Sequence, residues 1–323
     1  MSLLFTGDLF LEEEIVIDFP LDIVITNFEY VLSNSGNFSE NKVNLKCSKN
    51  YLSKYSQSST IYANLANNHI GDFGILGLQD TIKQLDNDGI IHFGSDLSKN
   101  SDCITIDYEG HRIGVYTACC LSTHPSKIAE GDRSMISILD RETVVDQVMR
   151  YKAEVDYLVV MLHWGDEEID VPKPEDVNIA RAIVDAGANL VVGHHAHVIQ
   201  SMEVYNGSHI FYGLGNFSFP DLDCPANWDG SQFTSRYIKK NFSWNNESII
   251  VELDKSLNVT FTLVCKYGNR VKKVGGGHKF KEVIMSRKKY DEYILKRRKE
   301  LQRGKFLQSP YWAIGKVLSK FGM

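Results

Sequence analysis

The sequence predicts an α/β fold followed by a basic helical tail, and three observations predict it. First, short apolar runs repeatedly end in polar residues able to hold a ligand. Residues 3–6 run into Gly7-Asp8, residues 22–26 into Asn27-Phe28-Glu29, and residues 60–65 into Ala66-Asn67-Asn68-His69. Second, residues 156–217 read as strand, helix and strand, and deliver two histidine groups to the same end of neighbouring strands. In open α/β sheets ligands bind at that carboxyl end. Third, residues 266–323 carry 17 Lys/Arg against 4 Asp/Glu, a net of +13, which leaves 18 against 37, or −19, elsewhere. The natural division is therefore a body, 1–265, and a tail, 266–323.

In chain order, Gly7 before a carboxylate at a strand end gives Asp8 freedom to turn toward a ligand. Residues 30–59 are polar, with a short helix expected near 47–55. Residues 71–74 (GDFG) form a turn, and 76–85 follow helical periodicity, with Leu76, Ile82 and Leu85 as core contacts. Residues 90–93, 103–108 and 112–118 are strands, the last two joined by a hairpin at 108–111. Residues 121–138, which include His124, have a length usually reserved for functional loops. A helix spans 140–152 with Asp140 as N-cap. The strand at 158–162 ends on His163-Trp164, the helix at 175–186 stops at Gly187, and the strand at 189–192 runs into Gly193-His194-His195-Ala196-His197. Asn206-Gly207 signals a hairpin. Residues 218–244 read as irregular and aromatic-rich, placed to cover the site. Residues 248–254 and 258–266 alternate as an antiparallel pair.

Composition narrows the class. With 43% hydrophobic residues the chain buries a substantial core and is not disordered. No run approaches the roughly 18 apolar residues that span a bilayer, and the first residues lack a basic stretch and a cleavage site. The six cysteines form no CxxC pair and read as reduced thiols of a cytoplasmic protein.

The candidate metal ligands are Asp8, Glu29, Asn68, His163, His195 and His197. Carboxylate, amide oxygen and imidazole together suit Zn, Mn or Fe(II), and argue against calcium or a thiolate site. Six ligands exceed what one four-coordinate zinc needs. They suffice for two ions roughly 3.5–4 Å apart sharing a carboxylate, a pair that clamps a phosphoryl oxygen and activates water. His69, beside Asn68, is then free to protonate a leaving group.

Six ordered motifs carry a resemblance. Gly7-Asp8, Asn27-x-Glu29, Asn67-Asn68-His69, His163-Trp164-Gly165-x-Glu167, the 193–197 stretch and Gly213-Leu214-Gly215-Asn216-Phe217 resemble those of the CapA family. These are poly-γ-glutamate and capsule synthesis proteins related to calcineurin-like metallophosphoesterases, and the resemblance spans roughly residues 3–220. It implies a metallophosphatase-like sandwich of two central mixed sheets with helices outside. It implies Asp8, Asn68, His163, His195 and His197 as metal ligands, Glu29 as the bridging carboxylate and His69 as general acid. Glu167 is implied to bind substrate or orient a ligand. The chain departs from the pattern at Phe10, where many metallophosphoesterases carry a histidine, and at Ala196, where a proline is common. It also shows no counterpart of the N-terminal membrane anchor that many relatives carry. His194 is extra, and is expected to support a ligand or lie at the surface. Trp164 is expected to wall the pocket.

These readings lead to a divalent-metal-dependent, phosphoesterase-like hydrolase acting in envelope polymer synthesis, with one or two ions and an anionic or phosphorylated substrate or polymer. The alternative is a non-catalytic accessory that binds metal or polymer through the same pocket. Nucleic acid has only the tail's charge in its favour. The tail's last stretch, residues 310–323, places Trp312, Ile314, Val317, Leu318 and Phe321 on one helical face. That pattern fits peripheral contact with the inner membrane face, packing on the body or a second subunit, or binding of the polymer itself.

Overall fold

Alternating apolar residues sort each strand between two faces, and a computed structural model shows what each face packs against. It describes residues 1–98, 101–126, 129–130 and 133–308. The principal elements of the body are β1 (Leu3–Leu9), β2 (Ile23–Phe28), β3 (Thr60–Asn64), α1 (Gly74–Asn87), β4 (Ile91–Phe93), β5 (Cys103–Tyr108), β6 (His111–Cys119), α2 (Val144–Lys152), β7 (Tyr157–His163), α3 (Pro174–Asp185) and β8 (Leu190–His194). There follow β9 (Met202–Tyr205), β10 (Ser208–Phe211), β11 (Asn216–Ser218), β12 (Leu222–Trp228), β13 (Phe233–Lys239), β14 (Glu247–Leu253), β15 (Val259–Tyr267) and β16 (Arg270–Lys273).

Two mixed sheets result. The first runs β16-β15-β14-β1-β2-β3-β4, with Val16–Ile17 beside β16 and β11 branching from β1. Its β1 to β4 half is parallel and its β14 to β16 half antiparallel. The second runs β9-β10-β8-β7-β6-β5, parallel at its centre. Leu3, Phe5 and Ile25 of the first sheet share one core with Val115, Val159, Met161 and Val192 of the second. The intervening residues face outward. Leu4, Val24 and Ile61 pack with Leu78 and Leu85 of α1, and Leu158, Val160 and Leu162 pack with Val148, Val177 and Ile183 of α2 and α3. The sandwich of two mixed sheets with helices outside is therefore the fold of the body. Burial on both faces explains why the central strands read as unbroken apolar runs.

Several local expectations are corrected. Leu76 is exposed, because α1 begins at Gly74 and turns Leu78 and Thr81 inward beside Leu85. The helix expected from residue 140 begins at Val144, and Asp140 instead accepts from the Glu142 N–H in the preceding turn. Residues 218–244 are not irregular: β12 and β13 form a hairpin with its turn at Asp229, whose carboxylate accepts the N–H groups of Ser231 and Gln232. The alternation is present, with Leu222, Ala226, Trp228, Phe233 and Tyr237 on one face of the ribbon, and Pro225 and Ile238 interrupting the polar face. All six cysteines are free.

The chain divides into two units, Met1–Val283 and Ile284–Met323, so β16 belongs to the first. The second holds α4 (Arg287–Gln308), with an ion pair of Arg287 and Asp291 one turn apart. The expected amphipathic stretch at 310–323 lies outside the described residues. Among the described residues, no helix is long and apolar enough to cross a membrane.

Candidate metal centre

The carboxyl ends of the parallel strands from both sheets meet at one edge of the sandwich, and the candidate ligands sit there. Asp8 lies on β1, Glu29 just past β2, Asn68 past β3, His163 closes β7, and His195 and His197 follow β8. All six are buried. Glu29, His163 and His195 bring ligand atoms within 4.8 Å of one another, as do Asp8, Glu29 and His197, so Glu29 belongs to both groups. Asn68 Oδ1 lies 2.9 Å from His163 Nε2.

Local backbone features aim these groups. The β1–β2 register slips between Thr6 and Asp8, a bulge that turns the Asp8 carboxylate. Gly7 is required by close approach rather than by flexibility, since a Cβ there would collide with the Gly215 carbonyl oxygen. The Asn67 carboxamide accepts from the N–H groups of His69 and Ile70 and donates to the Phe28 carbonyl, which fixes the turn presenting Asn68 and His69. His195 and His197 adopt φ of 87° and 56°. Such left-handed residues cost of order 1 kcal/mol or more each and cluster at functional sites. Asn216 Oδ1 sits 2.9 Å from His197 Nδ1, which leaves Nε2 toward the site.

The residues present fit a divalent cation. Asn27 Nδ2 donates to Asp8 Oδ1 at 2.9 Å and Glu29 Oε2 at 3.2 Å, tying up one oxygen of each carboxylate. The other Glu29 oxygen, Oε1, is buried without a hydrogen bond, and so is His195 Nδ1. Glu29 Oε1 lies 3.7 Å from His163 Nε2 and 3.8 Å from His197 Nε2. Those separations are too long for hydrogen bonds, yet they suit atoms each held about 2.1 Å from a shared ion. Burial pushes Glu29 well above the usual carboxylate range, with the Asp8 charge adding to it. Burial also holds His163 well below its usual value and His195 down to about 3, which keeps them neutral, the form that binds metal. At His197, burial is outweighed by Glu29 and Asp8, and its value rises to about 9. A buried carboxylate pushed upward by burial and by the Asp8 charge, beside His163 and His195 held low, is what a cation would relieve.

A cleft of about 380 Å³ opens above these groups, lined among others by Lys42, His69, His124, Glu167, Tyr237 and Lys239. His69 Nδ1 is 2.7 Å from Asp72 Oδ2, and Lys42 Nζ reaches Asp72 Oδ1 at 2.7 Å, the Asn68 carbonyl at 2.6 Å and Ser126 Oγ at 3.1 Å. Burial lowers His69 despite Asp72. Glu167 lines the cleft, half exposed, 3.9 Å from Lys239 Nζ. Lys239 bonds Glu168 at 2.8 Å and so pins β13 to the loop after His163.

Two expectations about the surroundings change. Trp164 is no wall of the cleft: it is buried in the core under α3 and donates its indole N–H to the Tyr212 carbonyl. His194 is not at the surface but buried, close enough for the Asp8 charge to act on it. Its Nε2 lies 3.1 Å from the Thr6 carbonyl oxygen, joining the two sheets immediately before Asp8. Sequence reading missed Asp72, three residues after His69, although that spacing was a usable signal. It also gave Asn216 no role, though that residue lies in one of the six motifs. Lys42 and Lys239 come from distant polar segments with no local signal.

The family profile for "Bacterial capsule synthesis protein PGA_cap" matches residues 4–221. The chain belongs to that family. It is 32% identical over 225 residues to the PGA biosynthesis protein CapA of Bacillus subtilis (strain 168), covering 68% of this chain and 58% of that protein. It is 33% identical over 211 residues to the capsule biosynthesis protein CapA of Bacillus anthracis, covering 61% and 50%. A probable polyglutamine synthesis accessory protein of Mycobacterium tuberculosis is 30% identical over 208 residues, covering 60% and 55%. The chain thus spans about half the length of these relatives. Among solved structures, a phosphatase from Mycoplasma pneumoniae is similar with a TM-score of 0.48 at 12% identity, covering 82% of this chain and 94% of that one. A hypothetical protein from Thermus thermophilus gives 0.44 at 12%, covering 84% and 96%. Within this family member, Phe10 is buried against Tyr30 and Phe219, with ring centroids 5.0 and 5.5 Å away. It contributes packing at this position.

Proposed function

We propose that this capsule synthesis family member is a divalent-metal-dependent phosphoester hydrolase serving envelope polymer synthesis. One observation carries the reading: Glu29 belongs to two groups of buried ligand atoms, while His69, backed by Asp72, lines the cleft directly above them. When bound, the ion or ions supply Lewis acidity toward a phosphoryl oxygen and an activated water. The chain's own residues do the rest. Glu29, Asp8, Asn68 and the three histidines would hold the ion or ions in place. Asp72 fixes His69 with Nδ1 as donor, so Nε2 is the atom that gives a proton to a leaving oxygen. Lys42 keeps Asp72 ionised and holds the Asn68 carbonyl, locking ligand and acid together. Glu167 and Lys239 form a polar wall facing the substrate.

The accessory reading is favoured by Phe10, which leaves the Asp8–Glu29–His197 group with one imidazole. The name of the mycobacterial relative also says accessory protein. Protein purified without chelator, assayed for metal and against a broad phosphoester panel, separates the two. Bound metal with turnover that collapses in His69→Ala supports hydrolysis. Bound metal with no turnover on any ester supports the accessory role.

A further inference from the structure

A second cavity, of about 450 Å³, lies against the metal cleft, and Leu45 and Leu222 line both. Its walls are aromatic: Phe38 and Phe233 are half-buried with ring centroids 4.7 Å apart, and Phe38 meets Phe73 at 5.1 Å. Its rim is acidic, with Glu12, Asp221 and Asp223. A rim lysine, Lys46, places its ammonium over the Phe73 and Phe38 rings at 4.8 and 5.6 Å.

We propose that this cavity binds a sugar ring, the alcohol part of a phosphorylated substrate. Its place beside the cleft rests on the phosphoesterase reading; the sugar site itself does not. Position argues first. Asp72 Oδ2 accepts from both His69 Nδ1, at 2.7 Å, and the Leu45 N–H, at 2.8 Å. The carboxylate that orients the proton donor therefore also anchors the wall shared with the aromatic cavity. A leaving alcohol protonated by His69 extends along that wall, over Leu45 and Leu222, onto the Phe38 and Phe233 rings.

Chemistry argues second. Flat aromatic faces match the C–H face of a pyranose, while carboxylates around them accept its hydroxyl protons. Asp223 is already paired with Arg236 and Asp221 accepts the Asn241 N–H, yet each carboxylate keeps a second oxygen for a hydroxyl, and an alkyl chain filling the same volume offers these acceptors nothing. A polyanion meets three carboxylates, while Lys46 is engaged by the rings, Arg236 by Asp223 and Lys266 by the charges of Glu12 and Asp221, so among the described residues of this rim no cation is left over to attract it. A few polar groups around an apolar, aromatic wall, in a cavity of this size, is the usual build of a small-molecule site. The hairpin β12–β13 supplies Phe233 and the Asp223 side of the rim, so this ribbon is the element that sets ligand choice.

The test is calorimetric titration of the full chain with maltotriose, the trimer of N-acetylglucosamine, and hexyl phosphate. Either trimer is expected to bind. Phe233→Ala removes one stacking face, and about a three- to tenfold loss of affinity is expected. Because that change also loosens the hairpin, Glu12→Gln is the second variant: it leaves the rings in place and should also weaken the sugar. His69→Ala should bind the trimer as the natural chain does. No heat with either trimer, equal affinity in both cavity variants, or hexyl phosphate binding that alone depends on Phe233 would overturn the proposal. Sugar binding without phosphoester turnover would keep this site and remove the hydrolase reading; turnover without sugar binding would do the reverse.

Discussion

His69 Nδ1 lies 2.7 Å from Asp72 Oδ2, and the opposite oxygen of that carboxylate is paired with Lys42 at 2.7 Å. The arrangement fixes the tautomer and the direction of the imidazole, a positioning role with a kinetic signature. His69→Ala should keep its metal yet lose about 10²–10⁴-fold in rate on esters with poor leaving groups. Activated aryl esters, which need no proton, should be far less affected. Asp72→Asn should show the same dependence on leaving group with a smaller loss, about 10–100-fold, as for other partners that orient a histidine. Loss of metal in His69→Ala would assign it to the ligand set instead.

The buried ligand set makes a separate prediction, independent of turnover. Asp8→Ala, Glu29→Gln and His195→Ala should each lose metal by elemental analysis relative to the natural chain, with Glu29→Gln losing the most because Glu29 is in both groups. Chelation should lower the melting temperature of the natural chain. Saturation at about 100 times Kd contributes roughly 2.7 kcal/mol of stability. Equal metal content in all four proteins would remove the site.

Much of this ligand cluster is legible in the sequence alone. The parallel strands of both sheets are buried on both faces and end abruptly in polar groups, so Asp8, Glu29, Asn68 and the histidines stood out in chain order. What escaped was set by long-range pairing. The Lys42 ammonium reaches Asp72, Asn68 and Ser126 across 26 to 84 residues of sequence, and the Lys239 bond to Glu168 depends on the pairing of β12 with β13. Trp164 was misplaced for a related reason. Adjacent strand residues point to opposite faces, so when His163 faces the centre, Trp164 turns into the core beneath α3.

Asp176, in the first turn of α3, offers a test of electrostatics away from the metal. It is buried and pushed up to about 6 by burial, which Lys173 and Arg141 only partly offset. A folded-state value above the unfolded one means its stabilising contribution is full below about pH 4 and is lost as pH rises through about 6. A tenfold change in proton affinity corresponds to about 1.4 kcal/mol, and the helix N-terminus, which favours the ionised form, trims the total. Asp176→Asn keeps an acceptor for Arg141 and does not titrate. The variant should therefore gain about 1–3 kcal/mol relative to the natural chain between pH 4 and pH 7.5, by denaturant unfolding. A difference that stays flat across that range would show that Asp176 ionises normally.

The tail makes the last prediction. From Arg287 to Gln308, α4 carries nine Lys/Arg against three Asp/Glu, and the next residues add Trp312 and further apolar side chains. We propose that this tail docks the protein on an anionic surface, the inner membrane leaflet first among them. Each Lys or Arg near an anionic leaflet contributes about 1 kcal/mol, and salt screens that attraction over a Debye length of about 10 Å at 0.1 M. Vesicles containing anionic lipid should sediment the full chain at low salt, release it as salt rises, and fail to bind a variant lacking residues 306–323. The deletion separates the two contributions, because it spares most of the basic helix and removes the apolar end. Binding that survives the deletion but falls with salt would assign the contact to charge alone. A full chain that ignores anionic vesicles at low salt would make the tail structural or polymer-facing. Retention on soluble poly-γ-glutamate, lost when the basic residues of α4 are neutralised, would then identify the polymer as its partner.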